Sequence, residues 1–255
     1  GEPPPDKQFS LDDGGETSTA EPSDEDMAAS YYERALDLHL EGYLRQAVEY
    51  YQQAIFLDPE MAAYHADLGE AYRQLGRIRE AIAELKAAIA INPEMVNAYT
   101  TLGVIYEQED LPQEAIRYHR MAIEIRPDHF VSYNNLGHAY DSLGLIKAAM
   151  ENYRKAIEYN PEFAPAYDNI GTNLMRLNRP NEGIKMIQKA IEISPPEDPQ
   201  VGMYYNDPGA AYVMLKDYGK AHGAFKKALE YMPDNPDIQR NYSFIQEYLN
   251  EERND

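Results

Sequence analysis

Apolar residues recur at helical spacing along most of the chain, and short polar breaks divide them into segments. Tyr99, Leu102, Gly103 and Tyr106 fall at i, i+3, i+4 and i+7, which places them on one face of a helix. A short break follows, and a second apolar stripe then runs to Pro127. Because proline lacks an N–H and cannot continue a helix interior, it marks the end of that stripe. The pattern predicts two antiparallel helices joined by a short turn.

The same two-helix pattern repeats along the chain, and prolines mark its period. A period of 34 residues separates Pro59, Pro93, Pro127, Pro161 and Pro195, and Pro233 follows after 38. A period of this size is typical of stacked small units that share a continuous core. The predicted units are residues 28–61, 62–95, 96–129, 130–163, 164–201 with a four-residue insertion, and 202–235.

Equivalent positions of the six units agree in side-chain size. One column is small, the next is bulky, a third is small again, and a fourth lies in the turn and contains glycine in three of the units. In that order the columns are Ala47, Ala81, Ala115, Ala149, Gly183 and Ala221; Tyr51, Leu85, His119, Tyr153, Ile187 and Phe225; Ala54, Ala88, Ala122, Ala156, Ala190 and Ala228; and Gly42, Gly76, Asp110, Gly144, Asn178 and Lys216. Small residues let helices approach closely, and the bulky ones fill the gaps between them.

These columns, together with Tyr-x-x-Leu-Gly-x-x-Tyr strings at 99–106 and 133–140, resemble the tetratricopeptide repeat family, with Tyr mostly in place of the family's Trp. The resemblance covers residues 28–235. It implies an all-α, right-handed superhelical α-solenoid of six antiparallel helix pairs. It also implies that the first helix of each pair lines a concave groove.

The two ends of the chain differ from the repeats. Residues 1–27 are acidic and rich in Pro, Gly, Ser and Thr, which predicts a disordered tail that ends near a helix cap at Ser23. Residues 236–255 carry an apolar stripe behind Asn235 and Pro236, which predicts a C-terminal capping helix followed by an acidic end.

The sixth unit departs from the pattern. The four extra residues stand near 195–199, and Pro208 occupies a place inside the first helix. Because proline in a helix interior costs about 3 kcal/mol, we expect a shortened or kinked helix that restarts at Asp207, behind an exposed loop at 195–204. Drift near the end of an array and a partner-docking loop or hinge are both open interpretations.

The net charge is −21, from 44 acidic and 23 basic residues. Residues 1–30 contribute nine acidic residues and one lysine, yet the repeats are acidic as well. A surface of this sign repels nucleic acid phosphates and anionic lipid headgroups and favours basic or neutral partners.

The chain has no cysteine, which excludes disulfides and thiolate chemistry. It shows no apolar run long enough for a membrane span, so no direct membrane insertion is expected. These observations favour the cytoplasm slightly and leave the periplasm open. Because the chain begins at Gly1, processing or excision from a longer sequence is expected, and a removed signal stays open.

Motifs of enzymes are absent: the sequence has no phosphate-binding loop, no H-E-x-x-H, no G-x-S-x-G and no dinucleotide-binding glycine pattern. The six histidines show no metal-ligand spacing within a helix, and His119 falls in the bulky packing column. We therefore expect no enzyme activity, no metal and no cofactor.

Candidate binding residues are the polar positions of the first helices that lie away from the packing stripe. Asn135 and Asn169 are equivalent, one repeat apart, and amide side chains can both donate to and accept from a peptide backbone. Ordinary polar surface is the alternative interpretation. The predicted peptide-binding set is Asp67, Glu70, Arg73, Asn97, Thr101, Asn135, His138, Asp141, Asn169, Thr172 and Arg176.

The sequence thus predicts a protein–protein interaction scaffold or adaptor that binds an extended, neutral or basic peptide in its groove. Clamping of an acidic C-terminus is disfavoured, because the groove positions of the first and third units hold no basic residue. One alternative is a structural subunit or assembly factor bound through edges or the convex face. Another is an envelope protein that assembles a secretion or pilus machine, and an enzyme has the least support. The partner's identity and the oligomeric state stay open.

Overall fold

The computed structural model describes residues 22–252, in which thirteen α-helices account for the regular structure. The chain divides into two compact units, of which the first ends at Pro59 and the second begins at Glu60. From here on, "first unit" and "second unit" mean these two parts of the chain, and a single repeat is called a helix pair. No helix among the described residues has the length and apolarity that a membrane span requires. The predicted tail lies outside the described residues up to position 21.

The first unit is one helix pair, α1 (Asp24–Leu40) and α2 (Leu44–Leu57). Ser23 caps α1: its hydroxyl accepts from the backbone N–H of Asp26, and the Asp26 carboxylate accepts from the backbone N–H of Ser23. This capping box satisfies donors that the first turn of a helix leaves unpaired. Residues 24–27, which the sequence assigned to the tail, therefore form the first turn of α1.

The second unit contains five helix pairs and a closing helix. Its pairs are α3 (Ala62–Gln74) with α4 (Ile78–Ile91), α5 (Val96–Gln108) with α6 (Pro112–Ile125), α7 (Phe130–Ser142) with α8 (Ile146–Tyr159), α9 (Ala164–Arg176) with α10 (Pro180–Ile193), and α11 (Gln200–Met214) with α12 (Tyr218–Tyr231), followed by α13 (Pro236–Glu251). Consecutive helices contact one another throughout this unit. The prediction of an all-α array of helix pairs with a capping helix is confirmed.

Close approach of the two helices in a pair depends on a glycine that faces the bulky column. A Cβ atom added to Gly137 would lie 2.5 Å from the Tyr153 ring, and one added to Gly103 would lie 2.3 Å from His119. Both bulky side chains are fully buried. Any larger residue at the glycine would force the helices apart. The predicted placement of His119 in the core is confirmed.

The turn column takes a left-handed backbone in all six pairs. Gly42, Gly76 and Gly144 have φ between 71° and 84°. Asp110, Asn178 and Lys216 stand in the same column with φ of 57°, 59° and 59°. Left-handed backbone is free of steric cost for glycine and unfavourable for a residue with a Cβ atom.

Lys216→Gly is expected to raise the free energy of unfolding by about 0.5–1 kcal/mol. The substitution removes the steric cost of a positive φ, which exceeds the entropy that glycine gains in the unfolded chain. Chemical denaturation measures the change. Gly144→Ala is the reverse control and should lower stability by a similar amount, and a stabilising Gly144→Ala would contradict the account.

Helix α11 differs from the prediction. It runs without a break from Gln200 to Met214, through Pro208, so the expected restart at Asp207 was wrong and the connecting loop is shorter than expected. The side chain of Asp198 accepts from the Gln200 N–H just before the first turn. Val201 and Tyr204 are buried in a cluster against Ala164, Ile187 and Ala190. Burial of these two side chains offsets the lost hydrogen bond at the proline.

The closing helix α13 begins as predicted. Asn235 is its cap, with the side-chain oxygen accepting from the N–H groups of Asp237 and Ile238, and Pro236 is the first helical residue. Ile238 and Ile245 are buried on one face of α13, and Ile245 clusters with Ala221 and Phe225 of α12. The helix thereby covers the apolar face of the last pair.

Candidate functional site

Polar side chains line one surface of the second unit, carried by the first helices α3, α5, α7, α9 and α11 and by α13. We call this the first-helix surface. Successive first helices present a polar residue at equivalent positions, namely Asp67, Thr101, Asn135, Asn169, Asp207 and Asn241. All of these side chains are partly buried.

Two amide pairs connect successive first helices. The side chain of Asn169 on α9 donates to the side-chain oxygen of Asn134 on α7 at 3.0 Å. Asn241 on α13 donates in the same way to Asn206 on α11 at 3.1 Å. Each pair joins residues 35 positions apart, one more than the repeat period. The sequence grouped Asn169 with Asn135, but the hydrogen-bond partner of Asn169 is Asn134, the residue that precedes Asn135.

Asp141 is the acceptor in a partly buried hydrogen-bonded cluster between α7, α8 and α9. Asn173, which is 1% exposed, donates to both carboxylate oxygens at 3.0 and 2.8 Å. The Tyr153 hydroxyl donates at 2.8 Å, and Arg176 donates at 3.3 Å. Arg176 also donates to the Asn173 side-chain oxygen at 2.9 Å. Burial, and then the Asp141 charge, raise the pKa of Tyr153, so its hydroxyl stays a donor.

A pair of carboxyl groups occupies the place of an amide pair between α9 and α11. Asp168 is equivalent to Asn134 and Asn206, and Asp207 is equivalent to Asn169 and Asn241. Asp207 accepts from Thr172 and from Asn206, each at 3.3 Å. The Asp168 Oδ1 atom is buried and has no hydrogen-bond partner within residues 22–252.

The environment disfavours ionisation of both carboxyl groups. Burial, and then the neighbouring charge of Asp207, raise the pKa of Asp168 from 3.8 to about 7. Burial also raises the pKa of Asp207, against the lowering effect of the hydrogen bonds from Asn206 and Thr172. A carboxyl group with a pKa near 7 retains a proton on a substantial fraction of molecules at neutral pH.

The predicted residues on α3 form an ion pair. Arg73 donates to the two Glu70 carboxylate oxygens at 2.9 and 2.6 Å, and Gln74 donates to Glu70 at 2.9 Å. The hydrogen bonds that Arg73 donates to Glu70 raise the pKa of Arg73. Asp67, on the same helix, is partly buried.

Four predicted residues on α5 and α7 are not part of the ion pairs and hydrogen-bonded clusters described above. Asn97 and His138 are exposed, and Thr101 and Asn135 are partly buried. The side chains of Asn97, Thr101 and Asn135 make no hydrogen bond within residues 22–252. The His138 ring packs edge-on against Tyr153, with centroids 6.1 Å apart. Their polar groups remain available to a ligand.

The structure thus brings together Asp141 with Arg176, Glu70 with Arg73, and Thr172 with Asp207, while Asn97, Thr101 and Asn135 stand apart from these contacts. The sequence did not single out Asn173, Asn206 or Asn241. Asn173 stands in a column that is otherwise Ala71, Ile105, Ala139 and Ala211 in the second unit, so a lone amide there was a usable signal.

Family models of the tetratricopeptide repeat match consecutive parts of the chain. A model described as TPR repeat matches residues 69–110. Two models described as tetratricopeptide repeat match residues 130–163, and residues 96–129 and 164–197. Together the matches run from residue 69 to residue 197. A search among curated protein sequences finds no match.

Solved structures share the fold. A MamA protein is 28% identical, with a TM-score of 0.55, over 66% of this chain and 91% of its own. PilF of Pseudomonas aeruginosa is 15% identical, with a TM-score of 0.72, over 88% and 99%. YrrB, titled a TPR protein with an unusual peptide-binding site, is 23% identical, with a TM-score of 0.51, over 66% and 87%.

The family matches, the columns of small and bulky residues and the array of helix pairs agree with one another. Tetratricopeptide arrays are typically non-enzymatic scaffolds for protein–protein interaction, and that is the role this fold supports. The chain belongs to the tetratricopeptide repeat family.

Proposed function

We propose that the first-helix surface of the second unit binds an extended, neutral or basic segment of a partner protein. The supporting observation is the series of polar side chains at equivalent positions on the five first helices and on α13, from Asp67 to Asn241. Packed helices lie about 8–10 Å apart, and an extended chain rises about 3.3 Å per residue. About three residues of a bound segment would therefore separate successive contacts.

Two polar groups suit the backbone of such a segment. The Asn135 amide can donate to a peptide carbonyl and accept from a peptide N–H, and Thr101 can do the same with one hydroxyl. Neither side chain is engaged in a hydrogen bond within the described part of the chain. Backbone recognition of this kind accepts many sequences, which is typical of adaptor surfaces.

The charges favour a neutral or basic segment. The arginines of the predicted set are paired internally, Arg73 with Glu70 and Arg176 with Asp141. Asp168 and Asp207 have no cation within hydrogen-bonding distance among residues 22–252. An incoming carboxylate would meet repulsion from these acids, whereas a lysine or arginine would be attracted.

The Thr101→Ala/Asn135→Ala double variant is expected to bind unstructured peptides about tenfold more weakly, a change of about 1.4 kcal/mol. The fold should be unaffected, because neither side chain makes a hydrogen bond within residues 22–252. Fluorescence anisotropy with labelled lysine-containing, neutral and glutamate-containing peptides measures the effect. The lysine-containing peptide should bind best and lose affinity as salt rises.

Gln188→Ala on the exposed face of α10 is the matched control and should bind like the unmodified protein. Equal peptide affinity in the double variant and in the control would contradict binding on this surface. Preference for the glutamate-containing peptide would contradict the charge argument separately. Equal affinity would favour assembly through the edges or the second helices.

A further inference from the structure

One column of the repeat places a tyrosine near the end of the first helix, and the fifth pair breaks it. In the second unit the column reads Tyr72, Tyr106, Tyr140, Leu174 and Tyr212. In the first unit Leu38 holds the place, and no helix pair precedes it among the described residues. Leu174 is therefore the exception in this column of the second unit, because a helix pair precedes it and yet the position holds leucine and not tyrosine.

The fourth pair shows how a tyrosine is accommodated there. The Tyr140 ring packs against the hydrophobic cluster that includes Met150 and Tyr133. Its hydroxyl accepts a hydrogen bond from the guanidinium of Arg120, which lies on α6 of the preceding pair. The side chain thus fills the space between two pairs and ends at a cation.

The fifth pair has the cation and lacks the phenol. Arg154 on α8 is the equivalent of Arg120, and Leu174 on α9 is the equivalent of Tyr140, each 34 residues on. Arg154 is exposed and makes no hydrogen bond or ion pair within residues 22–252. Leucine has no hydroxyl to offer it and fills less volume than tyrosine.

A cavity of about 350 Å³ lies where the ring would be. Its floor is apolar, and Arg154, Arg179 and Glu182 stand at its edge. Arg179 is paired with Glu182 through hydrogen bonds of 2.7 and 2.6 Å, which leaves Arg154 as the unpaired charge at the cavity. The apolar lining consists of Met150, Ile157, Tyr167, Ile170, Leu174 and Met186.

We infer that this cavity receives a tyrosine side chain of a partner protein. The ring would lie against Met150, Ile170 and Leu174, and the phenol oxygen would accept from the Arg154 guanidinium. The fourth pair supplies the template, because its own Tyr140 fills the equivalent place and bonds the equivalent arginine. A tyrosine can pack its ring against the apolar residues and accept a hydrogen bond from Arg154 at the same time. An aliphatic side chain can make only the apolar contacts.

This site is separate from the first-helix surface. Ile170 and Leu174 are four residues apart on one face of α9, and Asn169 and Thr172 lie on the other side of the helix. The cavity opens between the second helices α8 and α10. Both surfaces could hold a partner at once, and failure of one proposal leaves the other intact.

The test uses 4-methylphenol, toluene and N-acetyl-L-tyrosinamide with the full chain, followed by NMR of the methionine methyl groups. We expect saturable shifts of the Met150 and Met186 methyls with millimolar affinity. The tyrosinamide should bind at least as well as 4-methylphenol, and toluene should bind about threefold more weakly because it lacks the hydroxyl. Arg154→Gln should reduce 4-methylphenol binding to the level of toluene.

Two substitutions at the tyrosine column provide matched controls. Leu174→Tyr restores the residue of the other pairs and should abolish binding while keeping the fold, which circular dichroism verifies. Tyr140→Leu should open a second site beside Arg120 and raise the stoichiometry from one to two. Saturable binding that persists in Leu174→Tyr, or toluene binding as tightly as 4-methylphenol, would overturn the proposal. Binding of free 4-methylphenol without binding of the tyrosinamide would indicate a small-molecule cavity and would overturn it as well.

Discussion

Gly171→Ala is expected to lower the free energy of unfolding by about 3 kcal/mol. A Cβ atom at this position would lie 2.4 Å from Ile187 Cγ1 and 2.8 Å from the backbone oxygen of Gly183. Ile187 is fully buried, so its side chain cannot move out into solvent to relieve the contact. The Gly183 oxygen belongs to the backbone of α10, and moving it means moving the helix. Relief of the contact therefore requires α9 and α10 to separate along their whole interface.

Chemical denaturation with urea measures the change as a lower midpoint. Gly223→Ala is the matched control, because a Cβ atom there would meet no atom of the described residues within 4 Å. It should raise stability by up to about 1 kcal/mol through better helix propensity alone. A Gly171→Ala variant within about 0.5 kcal/mol of the unmodified protein would show that α9 and α10 can shift at little cost, contrary to the packing described here.

The Gly183 position shows what sequence columns can and cannot predict. Five of the six pairs have alanine there, so the column alone suggests that alanine would be tolerated. In the structure, a Cβ atom added to Gly183 would lie only 2.6 Å from the backbone oxygen of Gly171. Helix pairing was predictable because small and bulky residues repeat in phase. The distance between α9 and α10 was not, since it depends on two glycines facing each other.

The polar contacts were harder to predict for a related reason. Comparison of units at the repeat period groups Asn135 with Asn169, and both do lie on the first-helix surface. The hydrogen bond instead joins Asn134 to Asn169, because the stacking of successive helices offsets them by one residue. Which side chains meet depends on that offset, and a period read from the sequence does not contain it. The path of α11 through Pro208 was missed because burial of residues around it outweighs helix propensity.

Asp168→Asn, a substitution in the pair formed by Asp168 and Asp207, is expected to raise the free energy of unfolding at alkaline pH. The folded chain raises the pKa of Asp168 from 3.8 to about 7, so the folded state binds this proton more tightly than the unfolded state does. Its contribution to the free energy of unfolding is therefore fully favourable below about pH 4. It is lost progressively as pH rises from about 4 to about 7, and it changes little above that.

Asparagine at position 168 cannot ionise, and it can donate to Asp207 as an amide. We expect the variant to exceed the unmodified protein by about 2 kcal/mol at pH 8 and to match it closely at about pH 3.5. This estimate is about half of the full linkage value, because Asp168 is only partly buried and solvent screens part of the repulsion. Denaturation at several pH values measures the difference, and carbon NMR of the carboxyl groups follows the titration directly.

Asp234→Asn, a substitution of an exposed aspartate in the connection before α13, is the matched control. It should leave the pH dependence of stability unchanged. If Asp168→Asn and Asp234→Asn had the same effect at pH 8, general relief of the negative charge would explain it and the buried pair would not. If Asp168 titrated near pH 4 in the folded protein, a cation or a rearrangement of α11 would have to neutralise the pair. The expected result is a variant that is more stable than the unmodified protein only at pH values where Asp168 is ionised. It would show that above about pH 7 α9 and α11 stay packed across two like charges, because folding in the rest of the array outweighs their repulsion.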